Sequence, residues 1–172
     1  MPDFFPRLTD VGIQGNPYWY SNNPFYQAGY GLPNCTCYAW GRFWEEAGAE
    51  YRPNLCTYNA EDWFGYNDGY ERGYAPALGA VLCLADGPFS GEGHVAIVEV
   101  INSDQSIVVS ESAYGGYFFK TETLYAPSYL PASGYRFQGF IYNPHSGGVP
   151  VGGKKIWYFK KILWKNEKDI LL

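Results

Sequence analysis

The spacing of apolar residues divides the chain into three stretches of different character. The first 34 residues are dense in Pro, Gly, Asn and Tyr and follow neither a helical nor an alternating pattern. Such a stretch predicts an irregular arm. Four aromatic side chains in it need burial, so the arm is expected to wrap around the domain; they are Phe4, Phe5, Trp19 and Phe25.

From residue 36 to about residue 47, apolar side chains recur at the spacing of an α-helix. Gly48 is a suitable stop, and the helix is expected to begin at or beside Cys35. A second short helix is predicted over residues 60–64, with Asn59 as its cap. A turn is predicted at residues 67–69, where the sequence is Asn-Asp-Gly.

After Pro76 the pattern becomes that of β-strands. Runs rich in β-branched residues occupy 80–84, 94–100 and 106–111, and further strands are predicted at 116–120 and 135–142. The short turns between consecutive runs favour an antiparallel sheet. One helix packed on such a sheet gives an α+β domain.

Composition limits the partners that this domain can have. The 172 residues suffice for one domain, and 17 of them are tyrosines, which either suit a glycan ligand or fill half-buried positions. A net charge of −5 argues against nucleic acid. The chain lacks a stretch of membrane-spanning length, and its start lacks the features of a signal peptide. We therefore expect a monomer made in the cytoplasm without an export signal.

The four cysteines are Cys35, Cys37, Cys56 and Cys83. Their spacing is not that of a zinc site, so no metal or other cofactor is expected and all four are predicted to be free thiols. Cys35 and Cys37 point about 200° apart on a helix, so at most one of them can face a given cleft. Cys56 and Cys83 are predicted to be buried.

Cys35 and His94 together suggest a cysteine hydrolase. A thiol is a useful nucleophile as the thiolate, and a helix N-terminus and a nearby imidazole both favour that form. The alternative is that Cys35 is a buried structural thiol and His94 an ordinary residue of the sheet. Glu92 and Glu99 are expected to be surface charges, with Glu92 close enough to His94 to raise its pKa, and His145 is expected to be inert.

Five segments, in order along the chain, resemble the CHAP family, the cysteine, histidine-dependent amidohydrolases/peptidases. They are Asn-Cys-Thr-Cys-Tyr-Ala-Trp-Gly-Arg at 34–42, Pro-Ala-Leu-Gly-Ala-Val at 76–81, Gly-His-Val-Ala-Ile-Val-Glu at 93–99, Ser-Glu-Ser at 110–112 and Phe-Gln-Gly-Phe-Ile at 137–141. The resemblance implies a papain-like (NlpC/P60-like) fold. It also implies cleavage of peptidoglycan, at the muramoyl-L-alanine bond or within its peptides.

The same resemblance implies that Cys35 is the nucleophile, His94 the general base and Glu111 the residue that orients the imidazole. In an antiparallel hairpin with its turn near Asn102, positions 94 and 111 lie close together. The backbone N–H of Cys35 would help to form the oxyanion hole.

Three further side chains are candidates for oxyanion or substrate binding. Asn34 could supply a second oxyanion donor, or it could serve as a helix cap or turn residue. Tyr30 and Trp40 could line the cleft, or they could belong to the core.

The chain departs from the family pattern in three places. Ala113 stands where many relatives carry a polar residue, often Asn, which leaves Glu111 as the sole candidate to orient His94. Cys37 stands where relatives usually carry a large side chain. Residues 25–34 contain no Asp or Glu, so the calcium site of some relatives is not expected.

The predicted organisation is an arm over residues 1–24, a catalytic domain over 25–145, and a Gly-rich linker with a basic and aromatic tail over 146–172. The implied function is a peptidoglycan hydrolase acting on the bacterial cell wall, in particular a bacteriophage endolysin. A virion- or tail-associated lysin module, or a catalytically inactive wall-binding module, are the alternatives.

Overall fold

The computed structural model describes residues 4–86, 91–131 and 134–147. The predicted tail, 146–172, lies outside the described residues apart from its first two positions. The elements within the described residues are helices α1 (Pro24–Gln27) and α2 (Cys35–Ala47), a 3₁₀ turn (Ala60–Asp62), and strands β1 (Arg72–Gly73), β2 (Val81–Asp86), β3 (His94–Ile101), β4 (Ile107–Glu111), β5 (Lys120–Leu124) and β6 (Tyr135–Ile141).

The strands form one antiparallel sheet in the order β1-β6-β2-β3-β4-β5. Strands β2 and β3 are central and buried on both faces, which explains their nearly continuous apolar sequences. One face of the sheet carries α2 and the other is closed by a second apolar cluster that includes Phe140 and Tyr129. The prediction of an α+β domain is confirmed.

Helix α2 begins and ends where its sequence provides caps. The side chain of Asn34 caps its first turn, and the chain leaves the helix at Gly48, whose φ of 91° suits glycine. Because the helix packs against β3 and the arm, nearly all of its side chains are buried. The first residue of α2, Cys35, is thereby fixed next to the start of β3.

The N-terminal arm covers the outer side of α2. The indole of Trp19 is fully buried, donates to the carbonyl of Tyr38 at 2.9 Å, and lies so close to Gly41 that a side chain there would collide with it. Phe25 is buried as expected. The prediction of burial is wrong for Phe5, which is 76% exposed on the arm.

Two predicted elements differ in the structure. The strand predicted at 116–120 is instead a turn, and β5 starts at Lys120, because Ala113 and Tyr117 close a tight loop by a backbone hydrogen bond of 3.0 Å. The second predicted helix is a single 3₁₀ turn, and Asn59 makes no side-chain cap. Strand β1 was not predicted, since two residues carry no alternation.

Glu99 is fully buried, so the expectation that it is a surface charge is wrong. It occupies an irregularity in the pairing of β3 with β4, between Val98 and Val100. Its carboxylate accepts hydrogen bonds from Arg42 at 2.8 and 2.9 Å, from Ser110 at 2.6 Å and from the backbone N–H of Arg7 at 2.7 Å. The bulge changes the face of the sheet on which Glu99 lies, and so directs its carboxylate towards the buried guanidinium of Arg42.

Candidate active site

Cys35 is the first residue of α2 and is half-buried at the edge of a cleft. Just before it, the side-chain oxygen Oδ1 of Asn34 accepts from the N–H groups of Thr36 at 2.9 Å and Cys37 at 3.4 Å. The capping interpretation of Asn34 is therefore confirmed. Asn34 also lines the cleft, so its amide group stays a predicted oxyanion donor.

His94 is the first residue of β3 and is 7% exposed. Its Nε2 lies 2.5 Å from Oε2 of Glu111, the last residue of β4. Cys35 and His94 line the same cleft, and the Cys35 side chain is near enough to raise the pKa of His94. The structure thus brings together the three side chains that the sequence analysis proposed as catalytic.

The pairing of β3 with β4 explains how residues 17 positions apart meet. Ile97 pairs with Ser110, so Glu111 lies beside Ala96 and diagonally across from His94, on the same face of the sheet. The two positions are close, as the hairpin predicted, although they are not directly opposite. Gly93 sets the start of the strand, because its φ of 69° and its contact with the backbone of Glu61 leave no space for a side chain.

The charged forms of His94 and Glu111 stabilise each other. Burial lowers the pKa of His94, but its interactions with Cys35 and Glu111 outweigh burial and raise that pKa to about 10. Burial raises the pKa of Glu111, yet its contacts with His94, Tyr117 and Lys120 give a net lowering. An imidazolium beside a carboxylate is therefore the favoured pair at neutral pH.

Two residues that the sequence analysis missed complete the surroundings of Glu111. The Tyr117 hydroxyl donates to Oε1 at 2.7 Å, and Nζ of Lys120 lies 3.3 Å from the same oxygen. Because residues 116–120 were predicted to form a strand, their sequence gave no reason to fold Tyr117 back towards Glu111. A tyrosine shortly after Gly115-Gly116 was the available signal, since paired glycines favour a turn.

The cleft beside Cys35 and His94 has a volume of about 950 Å³. Ala113, and Glu92 on the loop before β3, reach its surface. Its walls also carry four tyrosines and two further carboxylates, namely Tyr30, Tyr58, Tyr114, Tyr135, Asp62 and Asp86. Tyr30 is 57% exposed there, in the position predicted for a substrate contact.

Trp40 is a correction to the predicted site. It is 2% exposed and packs edge-to-face on Trp44, with ring centroids 5.4 Å apart, inside the core cluster that α2 forms with the arm. A position five residues after Cys35 on the helix faces the core rather than the cleft. The core interpretation of Trp40 holds.

The other cysteines are buried and unpaired. Cys37 faces away from the cleft, its thiol lies 3.4 Å from the Trp19 carbonyl, and burial raises its pKa to about 12. Cys56 and Cys83 are fully buried, as predicted. Within residues 4–86, 91–131 and 134–147, no group of three His, Cys, Asp or Glu residues is arranged to hold a metal ion. No helix in the same ranges is long and apolar enough to cross a membrane.

Comparison with known proteins identifies the family. The model of the CHAP domain matches residues 25–113, which include Cys35, His94 and Glu111. The chain belongs to the CHAP family. Its match covers half of the chain and contains α2 and strands β1 to β4.

Relatives of this CHAP domain include staphylococcal proteins. The chain is 34% identical over 143 residues to the probable autolysin SsaALP of Staphylococcus aureus, covering 80% of the chain and 47% of that protein. It is 36% identical over 97 residues to the N-acetylmuramoyl-L-alanine amidase sle1 of Staphylococcus epidermidis, covering 54% of the chain and 28% of that protein. The chain thus spans less than half the length of both relatives.

A crystal structure of an N-acetylmuramoyl-L-alanine amidase from Staphylococcus aureus is also similar, with 29% identity and a TM-score of 0.44. The match covers 56% of this chain and 29% of that one.

Proposed function

We propose that this CHAP domain is a cysteine hydrolase that cleaves an amide bond of bacterial peptidoglycan, with Cys35 as nucleophile, His94 as proton carrier and Glu111 as the residue that orients the imidazole. The observation that carries the proposal is that Cys35 and His94 line the same open cleft while the His94 ring is bound to the Glu111 carboxylate. Membership of the CHAP family and the names of the relatives supply the substrate class.

The geometry supports a two-stage reaction. The Cys35 thiolate attacks the amide carbonyl carbon, and the carbonyl electrons move to its oxygen, which N–H donors at the start of α2 stabilise. The His94 imidazolium gives a proton to the leaving nitrogen, the C–N bond breaks, and an acyl thioester remains on Cys35. Neutral His94 then removes a proton from water, the hydroxide displaces the thiolate, and an acid product leaves.

Glu111 keeps His94 ready for both proton transfers. Because Nε2 is bound to the carboxylate, Nδ1 is the ring nitrogen left to exchange a proton with the thiol and the substrate. The contact also favours the imidazolium that accompanies the thiolate. The raised pKa of His94 and the lowered pKa of Glu111 agree with this role.

The relatives favour one of the two bond types that the sequence left open. One relative and the similar crystal structure are named as N-acetylmuramoyl-L-alanine amidases, so we propose cleavage at the muramoyl-L-alanine bond in preference to a peptide bond within the stem or bridge. The tyrosines of the cleft suit this bond, since their rings can stack on a sugar while their hydroxyls form hydrogen bonds.

We place the action of the enzyme at the bacterial cell wall. The relatives are staphylococcal autolysins and amidases, and they do not support a bacteriophage origin. The endolysin role and its alternative, a virion- or tail-associated lysin module, stay predictions from the sequence, as do the monomeric state and the absence of nucleic-acid binding. The papain-like fold and the domain boundaries at residues 25 and 145 also stay predictions.

Digestion of purified peptidoglycan by the wild type, Cys35→Ala and Cys37→Ala tests the function. We expect the wild type and Cys37→Ala to clear a wall suspension and Cys35→Ala to leave it turbid, because Cys37 faces the core and Cys35 the cleft. Equal clearing by Cys35→Ala would exclude the mechanism. Wall binding without clearing by the wild type would instead support the inactive wall-binding module. Mass spectrometry of the digest identifies the bond, since an amidase creates new N-terminal L-alanine.

A further inference from the structure

The loop that follows Glu111 links the two halves of the candidate active site. We call residues 112–119 the clamp loop. Its first side chain, Ser112, is fully buried and accepts from the backbone N–H of Asn34 at 3.0 Å while donating to the carbonyl of Tyr117 at 3.1 Å. The start of the nucleophile helix is therefore bound to the same loop that carries Tyr117.

Tyr117 returns from this loop to Glu111. Its hydroxyl donates to Oε1 at 2.7 Å, while His94 occupies the other carboxylate oxygen, Oε2. The two contacts leave Glu111 little rotational freedom around its terminal bond. The backbone of the loop is itself closed, since the N–H of Ala113 donates to the carbonyl of Tyr117 at 3.0 Å.

The surroundings explain why such a donor is needed. Glu111 is 2% exposed, and a buried carboxylate without donors favours the neutral form, which would leave the imidazolium unpaired. The position two residues further on, Ala113, has no polar group to offer. Tyr117 supplies a neutral donor, and burial together with Glu111 raises the pKa of its phenol, so the donor stays protonated.

We propose that Tyr117 is a positioning residue, which holds the Glu111 carboxylate against His94 and, through the clamp loop, fixes that carboxylate relative to the helix start that bears Cys35. The proposal rests on the proposed function for its catalytic meaning. Its structural content concerns the contacts among Cys35, His94 and Glu111, whatever the substrate.

Several other ionisable groups face this carboxylate. Lys120 on β5 lies 3.3 Å away, but it is 39% exposed in its side chain and also pairs with Glu122 at 2.7 Å. Tyr135 on β6 lies beside His94, with ring centroids 5.8 Å apart, and interacts electrostatically with Glu111. Solvent and salt screen Lys120, whereas the hydrogen bond of Tyr117 is directional and shorter.

The test is the rate at which iodoacetamide alkylates Cys35, measured against pH in Tyr117→Phe. Loss of the donor raises the pKa of Glu111, so its protonation begins at higher pH and the acidic limb of the profile should move up by about one pH unit. Tyr125→Phe is the matched control, since Tyr125 is 66% exposed and lies outside the cleft. It should follow the wild-type profile.

A second variant, Lys120→Met, separates the effect of the Tyr117 hydrogen bond from that of the nearby positive charge. Lys120→Met should shift the limb in the same direction by less, and added salt should remove that difference, because an exposed charge is screened. The Tyr117→Phe shift should persist in salt. Since Lys120→Met changes an exposed side chain, it stays measurable if Tyr117→Phe reduces folding, which thermal unfolding would reveal.

The outcomes distinguish this proposal from the proposed function. An acidic limb that is the same in Tyr117→Phe and the wild type, or a Tyr117→Phe shift that vanishes in salt, would overturn the positioning role. On peptidoglycan, Tyr117→Phe should lower kcat about tenfold at neutral pH with KM unchanged. If the wild type cleaves no peptidoglycan while the alkylation shift is present, the substrate assignment fails and the positioning role stands.

Discussion

Both ends of helix α2 carry buried charges, but the two groups of charges differ in the number and kind of their partners. At the N-terminal end, His94 and Glu111 form a single pair on the wall of the Cys35 cleft, and the second oxygen of Glu111 is bound by Tyr117 and Lys120. At the C-terminal end, three carboxylates surround two guanidinium groups. These are Glu45, Glu46, Glu99, Arg7 and Arg42, which we call the ionic cluster.

The two ends differ in the hydrogen bonds that their buried carboxylates receive, as Glu111 and Glu46 show. Both are nearly inaccessible, yet Glu111 receives hydrogen bonds on both oxygens, whereas neither oxygen of Glu46 has a hydrogen-bond partner among the described residues. Glu46 lies 3.2 Å from Arg42, which also binds Glu45 and Glu99. Burial therefore raises the pKa of Glu46 despite Arg42, while contacts lower that of Glu111.

Burial acts in the same direction on both carboxylates, so the difference in pKa comes from their partners. Glu111 has donors on both oxygens, whereas Glu46 has one guanidinium nearby together with the carboxylates of Glu45 and Glu99. The helix adds to the contrast, since its C-terminal end disfavours the negative charges of Glu45 and Glu46 and its N-terminal end favours a thiolate. The N-terminal end of α2 carries the proposed catalytic site. The other holds the arm on the domain.

The largest effect is expected from Glu111→Gln at the reactive end. An amide cannot stabilise the imidazolium and can hold the wrong tautomer, so peptidoglycan hydrolysis should fall about 10³-fold with little change in thermal stability. Turnover of a soluble wall fragment measures this. Glu50→Gln, on an exposed loop, should retain wild-type turnover. Activity within tenfold of the wild type in Glu111→Gln would remove Glu111 from the mechanism.

Arg42→Met should have the largest effect on stability. It leaves Glu99 fully buried without its main partner, so the free energy of unfolding should fall by about 3–5 kcal/mol. Urea titration followed by tryptophan fluorescence measures this. Arg52→Met is the matched control and should cost under about 1 kcal/mol. Arg52 is exposed, lies over the rings of Trp40 and Trp44, and makes one long, exposed hydrogen bond of 3.5 Å to the Asn22 carbonyl. Equal losses of unfolding free energy in the two variants would contradict the claim that Arg42 stabilises the fold through the ionic cluster.

Glu46→Gln should stabilise the protein in a pH-dependent manner. The pKa of Glu46 is higher in the folded chain than in the unfolded one, so its ionisation opposes folding increasingly as pH rises above the unfolded value. The variant should gain about 1 kcal/mol at pH 8 and almost nothing at pH 4. Unfolding at both pH values measures the gain. If Glu46→Gln is less stable than the wild type at pH 8, the ionised carboxylate of Glu46 stabilises the fold and the prediction is wrong.

Arg7→Ala should have the smallest effect, because its guanidinium pairs with Glu45, whose side chain is 23% exposed. We expect a loss of about 1 kcal/mol, reduced at high salt, and faster proteolytic cleavage within the arm. Limited proteolysis with and without salt measures it. A loss as large as that of Arg42→Met would mean that the arm, rather than the Arg42–Glu99 pair, stabilises this end of α2.

The sequence allowed the reactive end to be predicted better than the ionic cluster. Helix α2, its cap and stop, and the pairing of His94 with Glu111 depend on local signals and on one hairpin. Glu99 was misplaced because a bulge changes which face a residue occupies, and alternation gives no sign of a bulge. Tyr117 was missed because its position depends on a loop closed by hydrogen bonds. Trp40 was a candidate for both the cleft and the core, and the helix turns it towards the core.

The most direct measurement is the nitrogen NMR titration of His94, which is simple because the chain has two histidines and His145→Gln assigns them. We predict that both ring nitrogens of His94 are protonated at pH 8, given its pKa of about 10, and that Cys35→Ala makes the ring titrate at lower pH. A neutral His94 at pH 8 in the wild type, or a titration unaffected by Cys35→Ala, would contradict the Cys35–His94–Glu111 site.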